Sequence, residues 1–391
     1  MAVAVSREQV RAAAAGVAVT FGLNGVGVAT WFARVPTARD ALGLTPAALG
    51  LLLLSMSVGA FAAMLTAGEV THRLRPKRAV AVAAVTVSVG LAVAGIGIGA
   101  FPSPVLTGIG IFTLGYGSGL CDVAMNVEAA EVERALAKTV MPRFHAMWSL
   151  GTVVAAGLAS FAAWALLPVT AHLGVVALVV AVGTLFATRT YRLAGEAEHG
   201  GGSGVLAAWR EPRTLLIGLL VLVLAFTEGT ANDWVGVAFV DGYDLDPALG
   251  AAVFGVFVTT MTFGRVFGTI ALDRWGRVPA VGLSIVLAAA GVALAVFASS
   301  PVLAVVGVGV WGLGTALGFP VGMSAAADDP ERAAARVSVV AVIGYTAFLA
   351  GPPLVGFLGN EVGVLKALLI VPVLLLPALA LTPMLKPVKN S

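Results

Sequence analysis

The sequence predicts an all-α integral membrane protein of twelve transmembrane helices in two six-helix, pseudo-symmetric halves. Three observations carry this: too little charge for a soluble surface, apolar runs of membrane-spanning length, and a resemblance of the second half to the first. Of 391 residues, 59% are hydrophobic and 11% charged, with 48 glycines and a mean hydropathy of +1.00. A soluble domain carries about 25% charged residues, so this chain cannot coat a globule in water. Its 23 Lys/Arg and 20 Asp/Glu leave a net charge of +3. The basic residues are scattered between apolar runs and form no stripe, which argues against nucleic acid as a partner. The single cysteine, Cys121, lies inside an apolar run and excludes an intrachain disulfide.

A helix needs about 20 apolar residues to cross the hydrocarbon core, and it satisfies its backbone groups within one segment. Cutting at charges and at Pro/Gly/Asn/Asp clusters places six spans at 12–34, 46–69, 79–100, 105–128, 144–167 and 171–190. Six more follow at 214–239, 248–271, 279–299, 302–325, 336–358 and 363–385. Short hairpins such as 101–104 and 299–301 join neighbours, and Pro352-Pro353 is expected to kink the eleventh span.

Orientation follows from Lys and Arg, which cytoplasmic loops retain. With the N-terminus inside, the cytoplasmic side holds nineteen of the 23, from Arg7 and Arg11 to Lys386 and Lys389. Opposite lie Arg34, Arg39 and Lys366, while Arg265 falls inside a span. The expected location is a bacterial cytoplasmic (inner) membrane, with both termini cytoplasmic and the first span uncleaved. The hydrophilic stretch 189–213 contains Gly200-Gly201-Gly202-Ser203-Gly204, a flexible-linker composition. The expected division is therefore 1–190, a linker at 191–212, and 213–391. The halves align at an offset near 200: Leu44-Thr45-Pro46-Ala47-Ala48-Leu49-Gly50 matches Leu245-Asp246-Pro247-Ala248-Leu249-Gly250, and the Gly117 to Met125 run parallels Gly314 to Met323. Duplicated halves are a signature of transporter folds whose site lies between repeats near mid-membrane.

These features resemble the major facilitator superfamily of secondary transporters. Asp273-Arg274-Trp275-Gly276-Arg277, after the eighth span, reads as its Asp-Arg-x-Gly-Arg loop motif. The first-half loop, His72-Arg73-Leu74-Arg75-Pro76, departs from it, with His for Asp and Arg for Gly. Further strings resemble the bacterial MosC-like branch: Asn24-Gly25 with Trp31 and Arg34-Val35-Pro36; Asp122 to Asn126; Phe144 to Gly151; Glu228-Gly229 with Asp233-Trp234; and Gly351 to Gly356. The resemblance implies alternating access around a central cavity lined by the first and seventh spans.

Ionisable groups cost about 2.5 to 3.5 kcal/mol at the bilayer centre, so those within spans are functional candidates. Glu228 lies about 21 Å into the seventh span, and Asn24 sits at the matching depth of the first. Helical spacing aligns Asn24 with Trp31 and Arg34, and Glu228 with Asn232. Asp233 points away from Glu228. Asp122 and Asn126 share a face with Gly115 and Gly119, so Asp122 has two readings, a proton carrier or a bond across a packing seam. His145 and Trp148 form a titratable, amphipathic pair, with His145 suited either to proton handling or to holding the acidic loop of Glu128, Glu131 and Glu133. Arg34 has two readings as well: attraction of an anionic solute, or snorkelling to the interface. Trp311 and Tyr345 are expected cavity walls by position. Glu228 and Asp122 are the expected proton-coupling residues, and Arg265, Asp273, Arg274 and Arg277 the gating set, with Arg265 expected to hold the cytoplasmic gate.

Other chemistry is missing. No phosphate loop of the Gly-x-x-x-x-Gly-Lys-Ser/Thr type occurs, the four histidines are scattered, and no nucleophile elbow is present. The expectation is no enzyme activity, no cofactor and no metal. The sequence supports a monomeric secondary active transporter of a small polar or weakly amphipathic solute, with the proton as coupling partner. Its rivals are a proton/drug antiporter and a non-transporting membrane sensor.

Overall fold

The computed structural model describes residues 6–136, 138, 140–191, 205–329 and 332–387. The Gly200 to Gly204 run that carries the linker expectation lies outside the described residues, as does His199. The regular structure is helical: α1 Arg7–Leu42, α2 Pro46–Gly95 with a π turn Ile96–Ala100, α3 Pro104–Leu136, α4 Met141–Trp164 and α5 Val169–Ala187. After the short α6 Val205–Ala208 come α7 Pro212–Tyr243, α8 Pro247–Trp275, α9 Arg277–Phe297, α10 Pro301–Thr315 and α11 Gly318–Ala326. The last are α12 Ala333–Val362, α13 Val364–Ala367 and α14 Ile370–Ala378. No strand occurs among the described residues.

Local sequence sets the ends. Ser6 opens α1 through a capping box: its hydroxyl accepts from Gln9 N at 3.2 Å, and Gln9 Oε1 accepts from Ser6 N at 2.9 Å. Gly43, at φ 61°, closes the same helix in the left-handed conformation that spares glycine a Cβ clash. Glu133 caps α4 from the preceding helix, its Oε2 accepting from Val140 N and Met141 N, each at 2.7 Å. The acidic loop thus serves a helix N-terminus, where unpaired N–H groups and the helix dipole favour negative charge.

Among the described residues, eleven helical segments are long and apolar enough to cross a membrane. One of them, Pro46–Ala100, has 55 residues. At 1.5 Å per residue it would extend about 80 Å if straight, far beyond the hydrocarbon core of about 30 Å. It holds the second and third expected spans, parted at Arg75, whose φ 63° and ψ 152° are not helical. α12 continues through Pro352 and Pro353.

Two compact units are present. The first comprises Met1–Leu44, Leu52–Glu198 and Pro247–Gly255; the second comprises Thr45–Leu51, His199–Asp246 and Val256–Ser391. The expected boundaries at 190 and 213 therefore do not describe two short segments, 45–51 and 247–255, each at the start of a long helix. Within each unit the same seam recurs. In the first, a Cβ on Gly90, Gly110 or Gly117 would run into the backbone of Leu114, Ala94 or Val87. In the second, Gly291, Gly307 and Gly314 stand against Trp311, Ala295 and Ala288 in the same way. Lipid tails provide no hydrophobic drive for helix association, so close backbone packing through small residues supplies it.

The repeat also explains Arg75. It occupies the place of Gly276, which adopts φ 79° and ψ 174° at the start of α9. This combination of positive φ and extended ψ is open almost only to glycine and costs other residues of order 1–3 kcal/mol. Arg75→Gly is expected to stabilise the purified protein by about 1 kcal/mol after glycine's greater unfolded-state entropy is subtracted. Denaturation followed by tryptophan fluorescence checks this, and a loss of stability would show that the guanidinium's contacts outweigh the strain.

Candidate functional site

In the first unit α1 and α4 touch backbone to backbone, because Gly25 lies against Trp148 O and Gly151 against Gly22 O. The second unit repeats this crossing with α7 and α12, but rings replace the contacts. A Cβ on Gly229 would lie 3.0 Å from the Phe348 ring, and one on Gly351 would lie 3.6 Å from Phe226. Aromatic side chains thus fill this crossing where the first unit has backbone contact. Beside Gly229 stands Glu228, and Tyr345 packs 6.0 Å from Phe348 and 6.0 Å edge-on from Phe319. Under this correspondence Asn24 matches Glu228, His145 matches Tyr345 and Trp148 matches Phe348.

Glu228 Oε1 accepts from Arg265 Nη2 at 2.9 Å, an ion pair between α7 and α8 with side chains 15% and 27% exposed. Arg265 Nε is buried without a partner. Arg265 was expected to pair with a carboxylate or a helix end, and the carboxylate it meets is Glu228. It sits eight residues before Asp273, about 12 Å along the helix, and its partner is the span carboxylate. Asn232, one turn beyond Glu228, is half-buried. Asp233 is half-buried too, and among the described residues it has no hydrogen-bond or ion-pair partner.

In the first unit, Asn126 Nδ2 donates to Asp122 O at 2.8 Å and to Asp122 Oδ1 at 3.2 Å. Gly115 and Gly119 do pack closely on α2, yet Asp122 bonds to Asn126 of its own helix and is exposed. His145 is exposed and lies edge-on to Phe21 at 5.1 Å, while Trp148 packs against the core around Phe21 and Phe144. Asn24 is buried with Oδ1 unpartnered. Trp31 and Trp311 have no exposed surface, so neither forms a wall that solvent reaches in this structure; Trp311 packs edge-on to Phe257 at 5.5 Å. Arg34 is 2% exposed, which excludes snorkelling, and its Nε donates to His172 Nδ1 at 3.2 Å.

At the other end of the second unit, the loop motif contributes one of its residues to a charged lattice. Arg277 Nη1 donates to Asp328 Oδ1 at 2.6 Å and its Nη2 to Ser324 Oγ at 3.0 Å. Asp328 Oδ2 also accepts from Arg213 Nη2 at 3.1 Å, and Arg213 reaches the carbonyls of Met384 and Lys386. Asp273 and Arg274 are exposed and stand outside this lattice. Sequence reasoning missed Arg213, Asp328, Glu211 and Arg336; the signal was present as acidic residues placed among the basic cytoplasmic loops. Glu211 accepts from Arg336 Nε at 2.6 Å, Thr214 Oγ1 at 2.8 Å and Arg332 Nη1 at 3.1 Å.

The Arg336 guanidinium, foremost among these donors, holds the Glu211 carboxyl below its ordinary value of 4.5. A depressed native value stabilises the fold above pH 4.5, and that stability is lost as pH falls from there through the lower native value. Thermal unfolding measured from neutral pH down to about pH 3 is expected to show a smaller acid-induced fall in Glu211→Gln than in the wild type. Equal falls in both would remove Glu211 from the acid response.

Comparison with known proteins agrees with this architecture. The family model described as Major Facilitator Superfamily matches residues 222–391. The uncharacterized transporter y4wD of Sinorhizobium fredii is 30% identical over 375 residues, 95% of this chain and 97% of that one. The membrane protein MosC of Rhizobium meliloti is 27% identical over 358 residues, 91% and 86% of the two chains. Among solved structures, the nucleoside transporter NupG superposes with a TM-score of 0.77 at 14% identity, covering 95% of this chain and 98% of that one. A variant of the E. coli fucose:proton symporter FucP gives 0.67 at 14% identity, with 96% and 98% covered. The structural likenesses show the fold, and the relative at 30% identity over nearly the whole length shows the family. The chain belongs to the major facilitator superfamily, a family of membrane transporters and not of enzymes.

Proposed function

We propose that this chain is a proton-coupled secondary transporter of a small polar or weakly amphipathic solute, working by alternating access, with Glu228 and Arg265 as its coupling pair. The observation that carries the reading is that ion pair, set inside two membrane spans. A carboxylate bound to a guanidinium accepts a proton only at the expense of that bond, and the released arginine then needs another acceptor. Proton binding and rearrangement of α7 against α8 thereby become one event. The aromatic group of Phe319, Tyr345 and Phe348 beside Gly229 supplies apolar faces for a ring or sugar-like body, while the ion pair and the half-buried Asn232 supply polar partners. FucP, a fucose:proton symporter, supports proton coupling on a fold of this kind.

Asp233 and Asp122 are the second and third acidic groups in spans of this reading. A charged group is costly against lipid, so the exposure of Asp122 supports a water-filled surface on its side of α3. The basic loops support cytoplasmic placement of both termini in a bacterial inner membrane.

A thermal-shift screen of nucleosides and monosaccharides identifies a solute that stabilises the folded protein. In proteoliposomes carrying that solute, Glu228→Gln is expected to reduce proton-driven accumulation by at least about tenfold while exchange at equal solute concentrations stays within a few-fold of wild type. Undiminished accumulation against a gradient would remove Glu228 from coupling.

A further inference from the structure

Arg34 and His172 form a cluster that the transport reading does not use. Arg34 lies near the end of α1 and His172 in the first turn of α5; both belong to the first unit, and they are 2% and 9% exposed. Arginine Nε–H can only donate, so the 3.2 Å bond to His172 Nδ1 fixes that nitrogen as the acceptor. The imidazole is then neutral and carries its proton on Nε2. That Nε2–H is buried and has no acceptor among the described residues. Arg34 Nη2 is likewise buried and unpartnered, and Nη1 reaches only Thr37 Oγ1, at a long 3.5 Å. Among the described residues no carboxylate pairs with Arg34. Trp31, one turn earlier on the same side of α1, leaves a third buried donor, Nε1, unpaired.

Three unused N–H groups and one uncompensated positive charge, with no acceptor left over, call for a single kind of complement. Unpaired buried donors are costly, and a lone buried cation is costlier still. The π turn Ile96–Ala100 meets both α1 and α5, and Thr170 Oγ1 of α5 donates to Gly95 O at its start at 2.9 Å. Such turns depart from regular helix geometry and are frequent at functional sites. We infer that Arg34 and His172 constitute a binding site for a compact monovalent anion, a halide or a carboxylate group. The single formal charge sets the valence, because His172 is neutral in this arrangement. The shielding of both donors from solvent sets the size, because a large or doubly charged anion would be too costly to desolvate there.

The test uses the full chain in lipid nanodiscs at constant ionic strength, with the bulky sulfonate isethionate as the reference anion. Unfolding temperature is followed while sodium chloride, and separately sodium acetate, replaces isethionate. A saturable rise with either anion is expected, at least about tenfold weaker in midpoint in Arg34→Gln and in His172→Phe, and largely kept in His172→Gln, which retains an N–H donor. Saturation by chloride alone assigns the site to a dissolved inorganic ion, and saturation by acetate alone assigns it to a carboxylate-bearing solute. Should the Arg34 variant fail to fold, chlorine-35 line broadening by the wild-type protein, relieved in His172→Phe, carries the same test for the halide. No advantage of either anion over isethionate in the wild type, or midpoints unchanged in both the Arg34→Gln and His172→Phe variants, overturns the inference.

Discussion

An ionised carboxylate inside a membrane span is stabilised by a cation beside it. Glu228 and Arg265 form such a pair at 2.9 Å, and the local structure of the second unit follows from it. α7 and α8 must lie close enough to hold the pair. α12 meanwhile packs on α7 through the rings of Phe226 and Phe348. The result is a polar pair next to aromatic surface, the kind of lining that small-molecule sites combine.

The two units show how duplicated helices acquire different tasks. Where α1 and α4 touch through Gly25 and Gly151, the second unit carries the same glycines against rings. Asn24, His145 and Trp148 are replaced by Glu228, Tyr345 and Phe348 at matching places. The spine of glycines at Gly90, Gly110 and Gly117, and again at Gly291, Gly307 and Gly314, is unchanged in kind. Packing has therefore been retained while side-chain chemistry diverged. The same comparison exposes Arg75 as a residue in a glycine's conformation, at a loop whose counterpart keeps Gly276.

Much of the architecture was legible because it rests on short-range rules. Apolar runs of membrane length gave the spans, and Ser6, Gly43 and the prolines marked helix ends. The second and third spans, placed apart at 46–69 and 79–100, are parted at Arg75, whose backbone is not helical. The offset between repeats was sufficient to match Asn24 with Glu228. Which arginine would find Glu228 was not, since spacing along α8 leaves the rotation of α8 against α7 undetermined. Arg34 shows the same limit more sharply. Its position near a span end suggested the interface, whereas packing against α5 buries it on His172. The Arg213, Asp328 and Arg277 lattice escaped because its members are over 50 residues apart and only tertiary contact unites them.

The central claim is that Glu228 exchanges its arginine for a proton during transport. Difference infrared spectroscopy of the protein in lipid films, between high and low pH, detects the carbonyl stretch of a newly protonated carboxyl directly. The account predicts such a band in the wild type with solute present, and its loss in Glu228→Gln. A band of equal intensity in both proteins would mean that the proton is carried elsewhere and that the ion pair with Arg265 is a fixed strut.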